Sequence, residues 1–371
     1  MAEIDIGMGK VGRRAYGLED LALVPSRRTR DPEDVDLSWE VDAFRFELPI
    51  MAAAMDSVVS PASAVTLGQL GAVGVLALEG LWTRYDDPEP ILDEIAGLAD
   101  GEANARLQEL YAEPVKPELI RDRIKEIRGA GVVSCAAITP QRLPTFADAL
   151  LAAELDLLVI QGSVVSAEHV TRDGDPLDLK TFVRRFDIPV LVGGCASYQA
   201  ARHLMRTGAA GILVGVGAGA TSTTRTVLGV GSAQATAIAD ARAARMRHLD
   251  ETGVYVHLIA DGGMATGGDI AKAVACGADA VMLGAPLAAA SDAPGRGRHW
   301  GLNGGHGDLP RSAVVPAPPA GTLQEVLTGP ARRSDGRTNL AGALRRAMAT
   351  CGHPTLKELQ TAELTITPVH P

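Results

Sequence analysis

Eight short apolar runs, rich in β-branched residues, recur along the chain and limit its possible folds more than any other feature. They are PIMAA (49–53), VGVLA (73–77), VVSCAA (132–137), DLLVI (156–160), PVLVG (189–193), GILVG (211–215), YVHLIA (255–260) and ADAVML (278–283). The runs are continuous rather than alternating, which is typical of parallel strands covered on both faces. Since 46% of the residues are apolar but only 4% are aromatic, aliphatic side chains must build the core.

Helical patterns lie between most of these runs. They cover residues 61–72, 117–131, 140–155, 197–209 and 267–278. Several begin at Ser, Pro or Asp and end at Gly, as helix caps require. The alternation, with right-handed crossovers, predicts one (β/α)8 TIM barrel that spans residues 1–371 as a single domain. A doubly wound open sheet is the alternative fold.

Three segments depart from this alternation. Residues 84–116, called the connector below, are acidic and predict a helix with a surface excursion between strands two and three. Residues 216–231 form a long Gly/Ser/Thr loop after strand six. Residues 285–339 are rich in Gly, Pro, Arg and His, and we expect a flap there because structureless stretches of this length are usually functional. Residues 340–361 return to a helical pattern.

Charge and composition narrow the classes of partner. The formal net charge of −10 argues against nucleic acid, since no excess of cations exists to neutralise phosphates. No apolar run reaches the length of a membrane span, and the N-terminal MAEIDIGMGKVGRR lacks the apolar stretch of a signal peptide. The four cysteines show no metal-ligand spacing and are expected to be buried, reduced thiols. A cytoplasmic protein without a bound structural metal is expected.

Three glycine-containing sequences follow the last three strands, where barrels bind their ligands. Asp261-Gly262-Gly263 follows strand seven and Gly284-Ala285 follows strand eight. Paired glycines let backbone amides approach an anion, so these turns predict a phosphate site. GVGAGATSTTR (215–225) follows strand six and adds four consecutive hydroxyl residues and an arginine. The sequence therefore predicts a phosphorylated small molecule at this end of the barrel.

GVGAGATSTTR, followed by TVLGVGSAQATAI, resembles the active-site loop G-x-G-x-G-S-x-C-T-T-R of the IMP dehydrogenase/GMP reductase family. YGLEDLALVPSRRT (16–29), PIMAAAMDSVVS (49–60) and IADGGMATGGDIAKAVACGADAVMLGAPLA (259–288) resemble further family segments, in the same order. The connector is too short for the pair of cystathionine-synthase-type regulatory modules that many family dehydrogenases carry there. The chain is most similar to the short, module-free actinobacterial branch.

The resemblance implies a purine-nucleotide oxidoreductase. In the family the loop cysteine attacks C2 of the nucleotide to give a covalent thioimidate, and IMP, NAD and water become XMP and NADH. Ser222 stands at the position of that cysteine. Three explanations remain open: an engineered replacement, a natural homologue with changed or lost chemistry, or a slow serine nucleophile. A serine hydroxyl needs an adjacent base to act as a nucleophile.

The same resemblance assigns roles to other residues. Thr224 corresponds to the threonine near the catalytic water, and Arg298 or Arg311 is the expected water activator, although the family's Arg-Tyr pair is absent. Asp261 is expected to hold the ribose hydroxyls and Met55 to pack on the base. The remaining expected substrate contacts are Gly219, Ala220, Gly262, Gly263, Gly284 and Ala285. Ala53 and Ala220 replace family serines.

On the cofactor side, NAD or NADP is expected beside Gln161, Gly215 and Gly217. Gln161 replaces a family aspartate and Cys195 replaces an asparagine. A monovalent cation such as potassium is a further expectation at the carbonyls of Gly217, Gly219 and Ser222.

Two other functions stay open: a GMP-reductase-like enzyme acting on GMP or a modified purine nucleotide, and a catalytically impaired nucleotide-binding homologue. The stretch between Gly284 and Arg311 contains no Glu, which favours the dehydrogenase over the reductase. The expected partners are a purine nucleoside monophosphate and further copies of the chain in a homotetramer.

Overall fold

Eight parallel strands close into a barrel, as the sequence predicts. The structure, a computed structural model, describes residues 3–169 and 177–367. The strands are β1 (Ile50–Ala52), β2 (Val73–Ala77), β3 (Cys135–Ile138), β4 (Leu157–Gln161), β5 (Val190–Cys195), β6 (Gly211–Val214), β7 (His257–Asp261) and β8 (Ala280–Leu283). β8 pairs in parallel with β1, with Val281 opposite Ile50 and Leu283 opposite Ala52. The closed barrel is confirmed and the open sheet is excluded.

Helices follow the strands around the outside of the barrel. They are α1 (Pro61–Gln69), α2 (Pro117–Gly129), α3 (Leu143–Ala152), α4 (Leu179–Val183), α5 (Tyr198–Met205), α6 (Gln234–Thr252), α7 (Gly267–Cys276) and α8 (Leu340–Thr350). Capping boxes at Ser60 and Thr266 begin α1 and α7, since each hydroxyl accepts a hydrogen bond from a backbone amide of the first turn. Of the helices described, none is both long enough and apolar enough to cross a membrane.

The three segments outside the alternation contain more regular structure than the sequence pattern predicts. The additional helices are Glu89–Gly97 and Asp100–Leu110 in the connector, Thr224–Leu228 after β6, and Ala285–Ala288 and Leu323–Leu327 after β8. A further short helix, Leu356–Leu359, follows α8 within the stretch predicted to be helical. Two short strands, Arg298–His299 and Val315–Pro316, pair within the segment after β8. Residues 285–339, where we expect a flap, therefore contain regular structure.

Further short antiparallel strand pairs lie outside the barrel sheet. They are Glu3–Gly7 with Lys10–Arg13, Leu21–Leu23 with Leu364–Ile366, Trp39–Val41 with Phe44–Phe46, and Glu168–His169 with Leu177–Asp178. The indole of Trp39 donates to the Leu48 carbonyl at 2.9 Å and contacts the ring of His257, where β7 begins. This third pair therefore covers the end of the barrel opposite the strands' C termini.

A buried ionic cluster lies at the same end, around Asp279. The carboxylate accepts hydrogen bonds from Arg245 of α6 at 2.9 Å, from the Leu258 amide at 2.8 Å and from the Tyr255 hydroxyl at 2.7 Å. Burial alone would raise the pKa of Asp279, but Arg245 and Lys357 outweigh it and hold the pKa below its ordinary value. The cluster thus ties α6, β7 and the C-terminal segment to the start of β8.

We predict that Asp279→Asn lowers the free energy of unfolding by about 3–5 kcal/mol, because removal of one partner leaves the buried Arg245 without its counter-charge. Urea unfolding at pH 7 measures this loss. Asp187→Asn, at an exposed position, is the matched control and should change the free energy by less than about 0.5 kcal/mol. Equal effects of the two substitutions would show that the cluster does not stabilise the barrel.

Candidate active site

A cleft lies at the C-terminal ends of the strands. Its walls are formed by the segments after β1, β2, β3, β4, β6 and β7, together with residues between 301 and 312. The predicted site residues that line it are Met55, Gln161, Gly215, Gly217, Gly219, Ser222, Thr224, Asp261 and Gly262. Residues from six different strand ends therefore meet in one space, and the predicted site residues come from four of them.

Four other predicted residues flank the cleft without lining it. Ala220 lies between lining residues of the β6 loop, and Gly263 follows a lining residue after β7. Gly284 packs against His299 and against the Met55 sulfur, since a Cβ added at this glycine would lie 3.3–3.4 Å from them. Ala285 begins the short helix that follows.

The structure does not bring Arg298 to the cleft, contrary to the first of our two expectations for a water activator. The Arg298 guanidinium donates to the Leu98 carbonyl of the connector at 2.7 Å, and its backbone pairs with Pro316. The second expected activator, Arg311, lines the cleft instead. Arg298 lies away from the cleft because the pairing of Arg298–His299 with Val315–Pro316 directs its side chain towards the connector.

The loop after β6 passes directly against the end of β7. A Cβ at Gly215 would lie 2.0 Å from the Asp261 carbonyl oxygen, so no side chain fits at this position. The Gln234 amide of α6 donates to the carbonyls of Val214 at 2.7 Å and Asp261 at 3.2 Å. These contacts place Asp261 and the Ser222 loop on one wall of the cleft.

Ser222 has only neutral hydrogen-bond partners in the part of the chain that the structure describes. Its hydroxyl donates to Thr224 Oγ1 at 3.2 Å and accepts from the Thr224 amide at 3.3 Å. The Ser222 amide donates to the Gly219 carbonyl at 3.0 Å, which commits that carbonyl to a turn. Because neither partner is a base, this arrangement does not activate the hydroxyl as a nucleophile.

Asp261 is held by a residue from the far side of the barrel mouth. Gln161, at the end of β4, donates from Nε2 to Asp261 Oδ2 at 3.0 Å and also contacts the Met282 sulfur at 3.5 Å. Burial raises the pKa of Asp261 to about 6, and the hydrogen bond from Gln161 opposes that rise. The residue expected on the cofactor side thus contacts the carboxylate expected to bind substrate.

Residues 301–313, called the lid below, cover one side of the cleft. The lid pairs with the loop after β6, because the Thr223 amide donates to the Arg311 carbonyl and the Ala313 amide donates to the Thr221 carbonyl, both at 2.9 Å. The Asn303 side chain donates to Ser163 Oγ at 3.1 Å, beyond β4. The lid therefore spans from the expected substrate side to the expected cofactor side.

Arg311 keeps hydrogen-bonding capacity for a ligand. One terminal nitrogen donates to Asn303 Oδ1 at 3.3 Å. Its Nε atom is buried, and no acceptor for it is found among residues 3–169 and 177–367. A buried donor without an acceptor is costly, so a bound anion or carbonyl group would relieve that cost.

A buried hydrogen-bond chain anchors the back of the lid. Tyr111, in the connector, donates to Asp56 Oδ2 at 2.7 Å and accepts from the Trp300 indole at 3.0 Å. The Leu81 amide also donates to Asp56, at 2.9 Å. Asp56 is fully buried, and this burial raises its pKa to about 6. The chain joins the loop that carries Met55 to the connector and the lid.

His299 is a structural neighbour of this chain rather than a base for Ser222. Its Nδ1 shares a 3.0 Å hydrogen bond with Ser57, whose hydroxyl also contacts the Trp300 backbone. Burial lowers the pKa of His299 to about 4, so the ring is neutral at pH 7.

Sequence reasoning missed the polar side of the cleft after β2, β3 and β4. Glu79, Thr139, Ser163, Asn303 and Ser312 line it. Glu79 Oε1 accepts from the Thr139 amide at 2.7 Å. Glu79, Thr139 and Ser163 directly follow predicted strands, so their position at strand ends was a signal that could have identified them.

We predict that Tyr111→Phe lowers the free energy of unfolding by about 1–3 kcal/mol at pH 8, since it removes one of the two donors to Oδ2 of the buried Asp56 carboxylate and leaves only the Leu81 amide there. Because the folded pKa of Asp56 lies above its unfolded value, stability is lost as the pH rises through about 6. Without the Tyr111 hydroxyl this loss of stability is larger. At pH 5, where Asp56 is mostly protonated in the folded protein, the difference in free energy of unfolding between Tyr111→Phe and wild type should therefore be smaller than at pH 8. Urea unfolding at both pH values measures it.

The matched control is Tyr85→Phe, whose hydroxyl donates to the Leu110 carbonyl in the same connector at 3.1 Å. Its effect should be the same at pH 5 and pH 8, because its partner does not titrate. A Tyr111→Phe effect that is equally independent of pH would contradict the role given to Asp56.

Comparison with known proteins supports the resemblance seen in the sequence. Residues 15–301 match the model of the IMP dehydrogenase/GMP reductase domain. An uncharacterized oxidoreductase of Mycolicibacterium smegmatis is 47% identical over 98% of this chain and 99% of its own length. The inosine-5'-monophosphate dehydrogenase of Methanocaldococcus jannaschii is 27% identical over 94% of this chain and 91% of its own length.

Among solved structures, an IMP dehydrogenase/GMP reductase-like protein from Corynebacterium glutamicum is 42% identical and superposes with a TM-score of 0.93 over 98% of both chains. The extent of these matches and the shared barrel show that the protein belongs to the IMP dehydrogenase/GMP reductase family of oxidoreductases.

Proposed function

We propose that the protein binds a purine nucleoside 5'-monophosphate, IMP in the first place, and oxidises it at C2 with NAD, as IMP dehydrogenase does. The observation that carries this proposal is the meeting of Ser222, Thr224, Asp261 and Arg311 in one cleft. These positions correspond to the family groups for covalent attack on C2, ribose binding and water activation.

The nucleotide contacts follow from the positions of these groups. The Asp261 carboxylate offers acceptors for the two ribose hydroxyls, and Met55 offers an apolar surface to the base. The backbone after β7 and β8, at Gly262–Gly263 and Gly284–Ala285, offers amides to the phosphate. Gln161 and Glu79 line the same cleft.

In the proposed reaction the Ser222 oxygen bonds to C2 of the purine, and the hydroxyl proton passes to solvent, since none of the described hydrogen-bond partners of Ser222 is a base. A dinucleotide held beside C2 would supply the hydride acceptor. Water then attacks C2 and releases Ser222 with the oxidised nucleotide. Arg311 replaces Arg298 as our candidate for positioning that water, because Arg311 lines the cleft.

The cofactor side is proposed to lie after β2, β3 and β4. Glu79 and Ser163 supply acceptors for ribose hydroxyls, and Asn303 supplies a polar group from the lid. We propose NAD or NADP there. The expected potassium site fits the structure less well, because the Gly219 carbonyl already accepts a hydrogen bond from the Ser222 amide. We assign no step of the reaction to a cation.

A homotetramer is proposed on the family resemblance. The first strand pair carries exposed apolar side chains at Ile4, Ile6 and Met8, a surface suited to contact between copies.

The second candidate function is nucleotide binding with little or no turnover. The Ser222 hydroxyl donates its hydrogen bond to Thr224 and not to a base, which favours this second function. The two candidates share the same nucleotide site and differ only in the chemistry at Ser222.

We predict that Asp261→Asn weakens IMP binding by about 10- to 100-fold at pH 8, the cost of replacing a charged acceptor of hydroxyl donors with a neutral one. Isothermal titration calorimetry measures the affinity. Asp250→Asn, on the exposed face of α6, is the control and should bind like wild type. Failure of wild-type protein to bind any purine monophosphate would overturn the proposed function.

We predict that Ser222→Cys raises NAD-dependent oxidation of IMP by at least about tenfold, since a thiol ionises near neutral pH and a hydroxyl does not. Absorbance of the reduced nicotinamide measures it. Thr223→Cys places a thiol one residue away and should give no gain. If IMP raises the Tm of all three proteins but none turns over, the binding function is correct and the dehydrogenase reaction is wrong.

A further inference from the structure

The hydrogen bond between Gln161 and Asp261 crosses the mouth of the barrel. Gln161 ends β4 and Asp261 ends β7, so two strands intervene between them around the barrel. Both side chains line the cleft. The Met282 sulfur, 3.5 Å from Gln161 Nε2, provides the amide with a second contact from β8.

We propose that Gln161 is a positioning residue for the nucleotide: its amide holds the Asp261 carboxylate ionised and oriented to receive the ribose hydroxyls. This inference rests on the proposed nucleotide site and deepens it. It gives Gln161 a substrate role in place of the cofactor role that we expected from the sequence.

The geometry supports an orienting role. A carboxylate has four acceptor positions, and Gln161 occupies one of them on Oδ2. The others remain available to the two hydroxyls of a ribose. Since the Gln161 donor approaches Oδ2 from β4, it restricts the rotation of the carboxylate.

The other neighbours of Asp261 are neutral. Gly215, just after β6, approaches the Asp261 carbonyl, Met282 of β8 pairs with the Asp261 backbone, and Gln234 of α6 donates to the same carbonyl. The charged side chains of the same cleft are Glu79 and Arg311, whose hydrogen bonds go to Thr139, Asn303 and Leu309. Within the described chain, Gln161 is therefore the side chain that hydrogen-bonds to this carboxylate.

Burial without a counter-charge raises the pKa of Asp261 to about 6, and the Gln161 hydrogen bond acts against that rise. Removal of the donor must raise the pKa further. A protonated Asp261 is a weaker acceptor for the ribose hydroxyls. As the pH is lowered, a variant without the Gln161 donor should therefore begin to lose nucleotide affinity at a higher pH than wild type does.

The test is the dissociation constant of IMP for wild type and Gln161→Met between pH 5.5 and pH 8.5. Methionine has a similar length and no donor. We expect the ratio of the two constants, variant over wild type, to rise about fivefold from pH 8 to pH 6, as for a carboxyl whose pKa moves up by about one unit. The ratio cancels the titration of the IMP phosphate, which is common to both proteins.

Two further variants distinguish an effect on the Asp261 carboxylate from a general structural effect on the nucleotide site. Gln234→Met removes a neutral donor from the Asp261 backbone, so any loss of affinity should not depend on pH. In an Asp261→Asn background, Gln161→Met should also lose its pH dependence, because the titrating group is gone. The Tm of each variant shows whether it is folded.

Several outcomes would overturn the proposal. A ratio that does not change with pH, while wild type binds IMP, leaves the nucleotide site intact and refutes the role of Gln161. The same refutation follows if Gln161→Met keeps its pH dependence without Asp261. Absence of IMP binding by wild type overturns the proposed function and this inference together.

Discussion

The pairing of β8 with β1 is the constraint on which the rest of the structure depends. Three residue pairs close the sheet, and closure of eight parallel strands brings all their C-terminal ends to one rim. Met55, Gln161, Ser222 and Asp261, which are distant in sequence, can meet only on such a rim. At the opposite end, the buried carboxylate of Asp279 fixes the start of β8 and so supports the same closure.

The rim becomes a cleft because the lid is held from two directions. Backbone hydrogen bonds join its front to the loop after β6, and Trp300, just before it, is joined through Tyr111 to Asp56 at its back. The burial of the Asp56 carboxylate is unfavourable by itself, and the hydrogen bonds from Tyr111 and the Leu81 amide to Oδ2 offset part of that cost. The cleft therefore depends on polar groups that do not line it.

The strands were predictable because each is a continuous apolar run that the barrel buries on both faces. The nineteen-residue helix α6 was harder to predict, since four of its nine buried residues are alanines, such as Ala237, Ala241 and Ala244, which give little hydrophobic contrast. The choice between Arg298 and Arg311 depends on a strand pair two residues long, which no periodicity reveals. The Gln161–Asp261 bond joins residues 100 positions apart and needs three-dimensional coordinates to be seen.

The connector also determines where this chain tolerates additional sequence. Its second helix faces the lid, because the Gln108 side chain donates to the His306 carbonyl and Asn104 accepts from the Val314 amide. A segment inserted at the exposed Asp86–Asp87 would leave this face and Tyr111 in place. The same segment inserted just before Tyr111 would separate that residue from Asp56. The position of an inserted segment, more than its length, thus decides whether the protein retains its cleft.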